Sequence, residues 1–200
     1  MKYKKLLIFF LFLLFNNLLL NPIPRKLIYA EQYYRLYEEN LYTYPKSYRR
    51  NIYWLEKAIK YPHIHPIQAI FIVKTKEEYE KYKALFKMHI NYLLTKNYMG
   101  WAWQYNKQDV VFYNLYWAKE LEKSFNIAIE YYKLAKHYWD KTKEWSDYAS
   151  SFDFRLAWEK IEDEHYLIRT NKLEYDYDTV IELELQDLER KLNLLMTLER

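Results

Sequence analysis

Glu162 and His165 stand three residues apart in Glu162-Asp163-Glu164-His165. On a helix that spacing brings a carboxylate and an imidazole to one face. It is the unit from which di-iron helix bundles are assembled, but such a centre needs two of these units and two further glutamates. None of His63, His65, His89 and His137 has a Glu three residues before it. The stretch therefore reads as a solvated charged turn. His63 and His65 lie between Pro62 and Pro66. They could hold a metal only with partners from elsewhere, and they read as a plain loop. No metal ligand and no cofactor is assigned.

Nucleophilic chemistry fares no better. The chain has no cysteine, which removes thiolate nucleophiles, thiolate metal sites, disulfides and a lipid anchor on Cys. Serines occur at 47, 124, 146, 150 and 151, none in a glycine-flanked nucleophile elbow. Asp176 and Asp178 form a carboxylate pair beside a helix start, where they suit the positive end of the dipole. No catalytic residue stands out, and the chain reads as non-enzymatic.

Gly100 is the one glycine in 200 residues, where about 7% is usual. Phosphate-cradling and dinucleotide-binding loops need glycine backbones, so both are excluded. Tight turns need glycine too, so its scarcity favours long helices over sheet. Lys2, Lys4, Lys5, Arg25 and Lys26 are the basic residues of positions 1–30, which contain no Asp or Glu. The net charge of +4 thus sits in the leader. Residues 31–200 are close to neutral, and nothing in the charge argues for nucleic acid.

The elements follow from spacing. Residues 31–42 predict a short helix with Tyr34, Tyr37 and Leu41 on one side. A second helix is expected near Lys46–Lys60, where Tyr53, Leu55 and Ile59 mix with Arg49, Arg50, Lys57 and Lys60. Ile67–Val73 is apolar and reads as a short buried helix. Thr75 and Glu78 form a capping box, opening a helix to about Lys96 with Tyr79, Tyr82, Phe86, His89, Ile90 and Leu93 on its apolar face. Met99-Gly100-Trp101 is expected to end it. Leu115–Ser150 is the longest helical run, with Trp117, Leu121, Ala128, Tyr131 or Tyr132, Ala135, Tyr138 or Trp139, Thr142, Trp145 and Ala149 on one stripe. Phe154–Arg169 follows. A second box, Thr179 to Glu182, opens the last helix, whose Ile181, Leu185, Leu188, Leu192 and Leu195 form a core-facing seam.

These elements predict an all-α fold, one bundle or array of about five to seven antiparallel helices over residues 31–200. The full chain holds 24 Tyr, 10 Phe and 7 Trp, a surplus suited to protein interfaces. Residues 101–113 are aromatic and aperiodic and read as the functional loop. Trp101, Trp103, Tyr105, Phe112 and Tyr113 are the candidate partner-binding residues. The competing reading makes the same rings plugs at the end of the bundle.

Residues 1–30 read as a secretory signal or an N-terminal membrane anchor. Three lysines precede Leu6–Phe15, an unbroken apolar run. Cleavage would fall after Ala30. As a retained anchor, Leu6–Leu20 spans about 22 Å against a hydrocarbon core of about 30 Å, and extension to Ile23 nearly closes the gap. Export to the periplasm or beyond is the expected localisation, with inner-membrane anchoring by residues 6–23 if the leader stays.

Residues 118–145 (AKELEKSFNIAIEYYKLAKHYWDKTKEW) resemble one tetratricopeptide-like helix pair, with Ala128, Tyr131, Tyr132 and Ala135 in small-large-small order. The glycine and proline of that consensus and its period of about 34 residues are missing. The phrases YKALFKMHINYLL and YYKLAKHYWDKTKEW resemble small exported helical proteins of spirochaetes, some of which help build the periplasmic collar of the flagellar motor. That resemblance implies a structural role with protein partners in the envelope. The alternative expectation is a soluble helical bundle binding a ligand in an aromatic-lined pocket.

Overall fold

The computed structural model describes residues 26–107, 115–170 and 176–198. They form six α-helices: α1 (Ala30–Thr43), α2 (Tyr48–Lys60), α3 (Lys76–Asn106), α4 (Ala118–Ser150), α5 (Glu159–Arg169) and α6 (Tyr177–Leu198). No strand occurs among the described residues, and two single-turn 3-10 helices, Pro66–Gln68 and Leu115–Trp117, complete the elements. The fold is all-helical, as the glycine scarcity predicts. No helix among the described residues is long and apolar enough to cross a membrane.

The frame is the α3–α4 pair, which shares the most extensive contact in the molecule. The two run antiparallel. Trp101 meets Tyr131, while a hairpin's length away Lys87 lies over Trp145. Alanines 128, 135 and 149 are fully buried along α4, with Tyr132 and Trp139 between them. Small residues let the helices approach, and the large rings fill the space beside them. The predicted stripe therefore holds over most of its length. It fails at its start, where Trp117 is 57% exposed, because helical phase begins only at Ala118.

α1 and α2 pair with each other, and α2 packs on α3. In α1, Tyr34 and Tyr37 are buried as predicted, but Asn40 is buried where Leu41 was expected. Asn40 has a reason to be inside: its amide donates to Asn51 of α2 at 2.6 Å. In α2, Ile52, Leu55 and Ala58 face in while Tyr53 is exposed. Residues before α1 belong to the folded unit. Gln32 accepts from the amides of Ile28 and Tyr29, and the Ala30 amide donates to the Pro62 carbonyl at 2.9 Å.

Four expectations need correction. Residues 67–73 are no buried helix: Ile67 is 86% and Ile72 76% exposed, and only the 3-10 turn at Pro66–Gln68 is regular. The third helix does not end at Met99-Gly100-Trp101 but continues to Asn106. Gly100 sits inside it because a Cβ there would lie 2.6 Å from the Tyr48 ring. The glycine serves close packing of α2 on α3. The stretch 118–145 is a single unbroken helix, not a helix pair; without the glycine and proline of the repeat, nothing turns the chain. The fifth helix starts at Glu159, not Phe154.

Polar side chains close the helix ends. Thr75 accepts from the Glu78 amide at 3.0 Å, while Glu78 reaches back to the Lys74 amide rather than to Thr75. The last helix is capped by Asp176, which accepts from the Thr179 amide and hydroxyl, so Thr179 is inside the first turn. Asp178 then ties α6 to α4 through Lys136, Lys143 and the Trp139 indole. Burial would raise the Asp178 carboxyl, but these donors outweigh it and hold it down at about 2. Lys191 donates to the Asn106 side chain at 2.7 Å and lies 3.4 Å from its carbonyl. That places a cation at the negative end of α3. Ile181 and Leu188 are fully buried and Leu195 nearly so, so the leucine seam packs into the core.

Candidate functional site

The predicted aromatic site divides by helical phase. At 3.6 residues per turn, positions 101 and 105 share a face while 103 points away. Trp101 stacks on Tyr131 with ring centroids 4.2 Å apart and an interplanar angle of 18°. Tyr105 meets the same Tyr131 edge-on at 5.8 Å. Both are half-buried parts of the α3–α4 seam. Trp103 is 58% exposed. Phe112 and Tyr113 lie outside the described residues. Across the connection, Tyr116 is 79% exposed and packs edge-on against Trp117 at 5.2 Å. The three-four stripe of α4 predicts Trp117 in the core, yet it is 57% exposed. A helix continued to Asn106 was the missing signal that separates Trp103 from its neighbours.

The opposite end of the hairpin holds a different arrangement, and it overturns the reading of 162–165 as a solvated turn. Glu162 and His165 are 3% and 6% exposed. Lys81 of α3, equally buried, places its ammonium 2.9 Å from Glu162 and also donates to the Phe154 carbonyl. The Leu156 amide donates to Glu162 at 2.7 Å. Burial by itself would raise the Glu162 carboxyl. The adjacent His165 ring, the Leu156 amide and the Lys81 ammonium outweigh burial and hold it down at about 2. The sequence signal was available: on α5, positions 161, 162, 165 and 168 form one face, and all four are buried.

The site brings Ser150, His165 and Glu162 together, and their geometry tests a hydrolase-like triad. His165 Nε2 lies 3.1 Å from Ser150 Oγ, but also 2.9 Å from the Ser146 carbonyl. A carbonyl only accepts, so that nitrogen carries the proton and cannot take one from Ser150. Ser150 Oγ lies 3.0 Å from the same carbonyl, an intrahelical contact. His165 Nδ1 is 3.9 Å from Glu162, beyond hydrogen-bond reach. A base that orients and activates a nucleophile is not formed.

Two more histidines have structural partners. His89 Nδ1 donates to Glu164 at 2.7 Å, and its Nε2 accepts from the Tyr34 hydroxyl at 3.1 Å. That chain locks α1, α3 and α5 together. His63 contacts Glu31 at 3.0 Å, and the same carboxylate accepts from the Ile64 amide and Tyr82 hydroxyl. Burial works against ionisation of Glu31, yet these partners keep its carboxyl below the ordinary range. The loop reading of His63 missed this buried acceptor. Among the described residues no group of three or more His, Asp or Glu side chains is placed to hold a metal ion.

A cleft of about 620 Å³ opens above the Lys81–Glu162–His165 floor, walled by the end of α4, residues 152–155 and the outer face of α5. No curated protein and no solved structure matches the chain. The cleft, both ends of the hairpin and α6 all fall within residues 77–198, while α1 and α2 lie outside that span. Over residues 77–198 the chain matches the model of DUF8513, described as a domain of unknown function, and it belongs to that family.

Proposed function

We propose that the protein is an exported, non-enzymatic helical scaffold or adaptor that acts through protein contacts in the cell envelope. The observation that carries this reading is the exposure of Trp103, Tyr116 and Trp117 around the α3–α4 connection. Indole and phenol rings combine large apolar area with a polar edge and dominate interface hot spots. A partner presenting an apolar groove with hydrogen-bond acceptors at its rim suits them. The cationic, apolar start of the chain supports export. The resemblance to spirochaete envelope proteins extends the proposal to the periplasmic flagellar motor.

A photo-crosslinking residue in place of Trp103 should trap one adduct of discrete mass in intact cells. The same residue in place of Ile67, exposed on another part of the surface, should trap none. Loss of the adduct on adding Trp117→Ser is the expected signature of a shared patch. Equal adducts from both positions would refute it. A reporter active only outside the cytosol, fused after residue 40, tests export separately; cytosolic activity alone would remove the envelope from the proposal.

A further inference from the structure

The cleft above Lys81, Glu162 and His165 is independent of the aromatic end and of the scaffold reading. Two solvent-exposed charged groups there make no ion pair among the described residues. The Lys81 ammonium and Glu162 carboxylate neutralise each other, and Arg155 pairs with Asp163 at 2.8 Å. Arg169 and Asp153 also line the cleft. Among the described residues neither makes an ion pair, with each other or with anything else. Phe152, Phe154 and Tyr166 add ring surface to the lining of the same cleft. Below, Ser146 Oγ is buried without a hydrogen-bond partner among the described residues, one turn from Ser150, which lines the cleft. The volume falls in the range of small-molecule sites, about 300–1,000 Å³.

We propose that this cleft binds a free amino acid with an apolar ring in its side chain. The Arg169 guanidinium takes the α-carboxylate, the fork geometry suited to two parallel hydrogen bonds. The Asp153 carboxylate takes the α-ammonium, and the side chain lies among Phe152, Phe154 and Tyr166. A ligand bearing both charges a bond or two apart meets two groups that do not reach each other. A ligand with one charge leaves the other group unmatched. The buried Lys81–Glu162–His165 floor holds the two walls, α4 and α5, at a fixed separation, so the site is formed before a ligand arrives.

The test uses the full-length protein labelled with 15N and titrated with L-phenylalanine into the millimolar range. Amide shifts should be confined to residues 149–169 and saturate. 3-Phenylpropionate, which lacks the amine, and phenethylamine, which lacks the carboxylate, should each bind at least tenfold more weakly. Asp153→Asn should abolish the preference for phenylalanine over 3-phenylpropionate, and Arg169→Gln the preference over phenethylamine. Both side chains are on the surface, so both variants should keep the parent spectrum outside the cleft. Three results would overturn the proposal: no shifts in 149–169, equal binding of all three probes, or unchanged preferences in both variants.

Discussion

At one end of the α3–α4 hairpin Trp103 and Trp117 face solvent. At the other, Lys81, Glu162 and His165 are withdrawn from it. This inverts the usual assignment of apolar side chains to the interior and charges to the surface. The difference lies in what each end has available to cover it. α5 lies across the Lys81 end and brings its own carboxylates and imidazole, so the charges are buried as hydrogen-bonded partners. The Trp103 end is joined by the connection to α4, and the outward phase of position 103 offers the core nothing to cover. The exposed rings of Trp103 and Trp117 keep much of their area in solvent, while the buried ion pair answers to its neighbours alone.

The sharpest way to break that contrast is to remove one buried charge. Lys81→Met leaves Glu162 in the core without its cation and should cost about 3–5 kcal/mol, read from the urea midpoint at neutral pH. Lys81→Met with Glu162→Leu should recover much of the loss, because a matched apolar pair no longer strands a charge. Trp103→Ser with Trp117→Ser should move the midpoint by no more than about 0.5 kcal/mol. Equal costs at the two ends would show that the indoles are core after all.

Between the ends, Ala135→Trp should overpack the α3–α4 seam and cost about 1–3 kcal/mol, since Ala135 is fully buried. An unchanged melting temperature would deny the close approach of these helices.

Acid should expose the polar contacts selectively. Glu162 and Asp178 are both held at about 2, below their ordinary values of 4.5 and 3.8. A carboxyl depressed in the folded state contributes stability that is complete above its unfolded pKa. That stability drains away as pH falls through the folded one. Stability should therefore decline from about pH 4.5 toward pH 2. Glu162→Gln should flatten part of that slope in urea titrations run across the window, and the Trp103/Trp117 double variant should leave it unchanged.

The smallest expected effect concerns Gly100. In a Tyr48→Ala background, Gly100→Ala should stabilise by about 0.5–1 kcal/mol, the ordinary helix-propensity gain. With Tyr48 present, the ring would have to move and that gain should shrink or reverse. Identical effects in both backgrounds would mean that the glycine has no packing role.

Helical class is legible in the amino-acid sequence alone. Glycine scarcity removes turns, and three-four spacing gives α4 and α6 their inward faces, because these depend on local backbone geometry. The capping Thr75 was readable for the same reason. Candidate site residues were legible only in part. Trp101, Trp103 and Tyr105 were singled out as one loop cluster, but helical phase sends the first and third inward and the second outward. Gly100 looked like a stop because its function depends on Tyr48, some fifty residues away. Glu162 and His165 looked solvated because the cation that buries Glu162 is Lys81, on another helix. A residue's own type and neighbours set its helical propensity and its phase. Whether a charge is buried, which ring reaches water, and that Asp153 and Arg169 border one cleft depend on what packs across from them. Those contacts join residues far apart in sequence, and only the tertiary structure decides them.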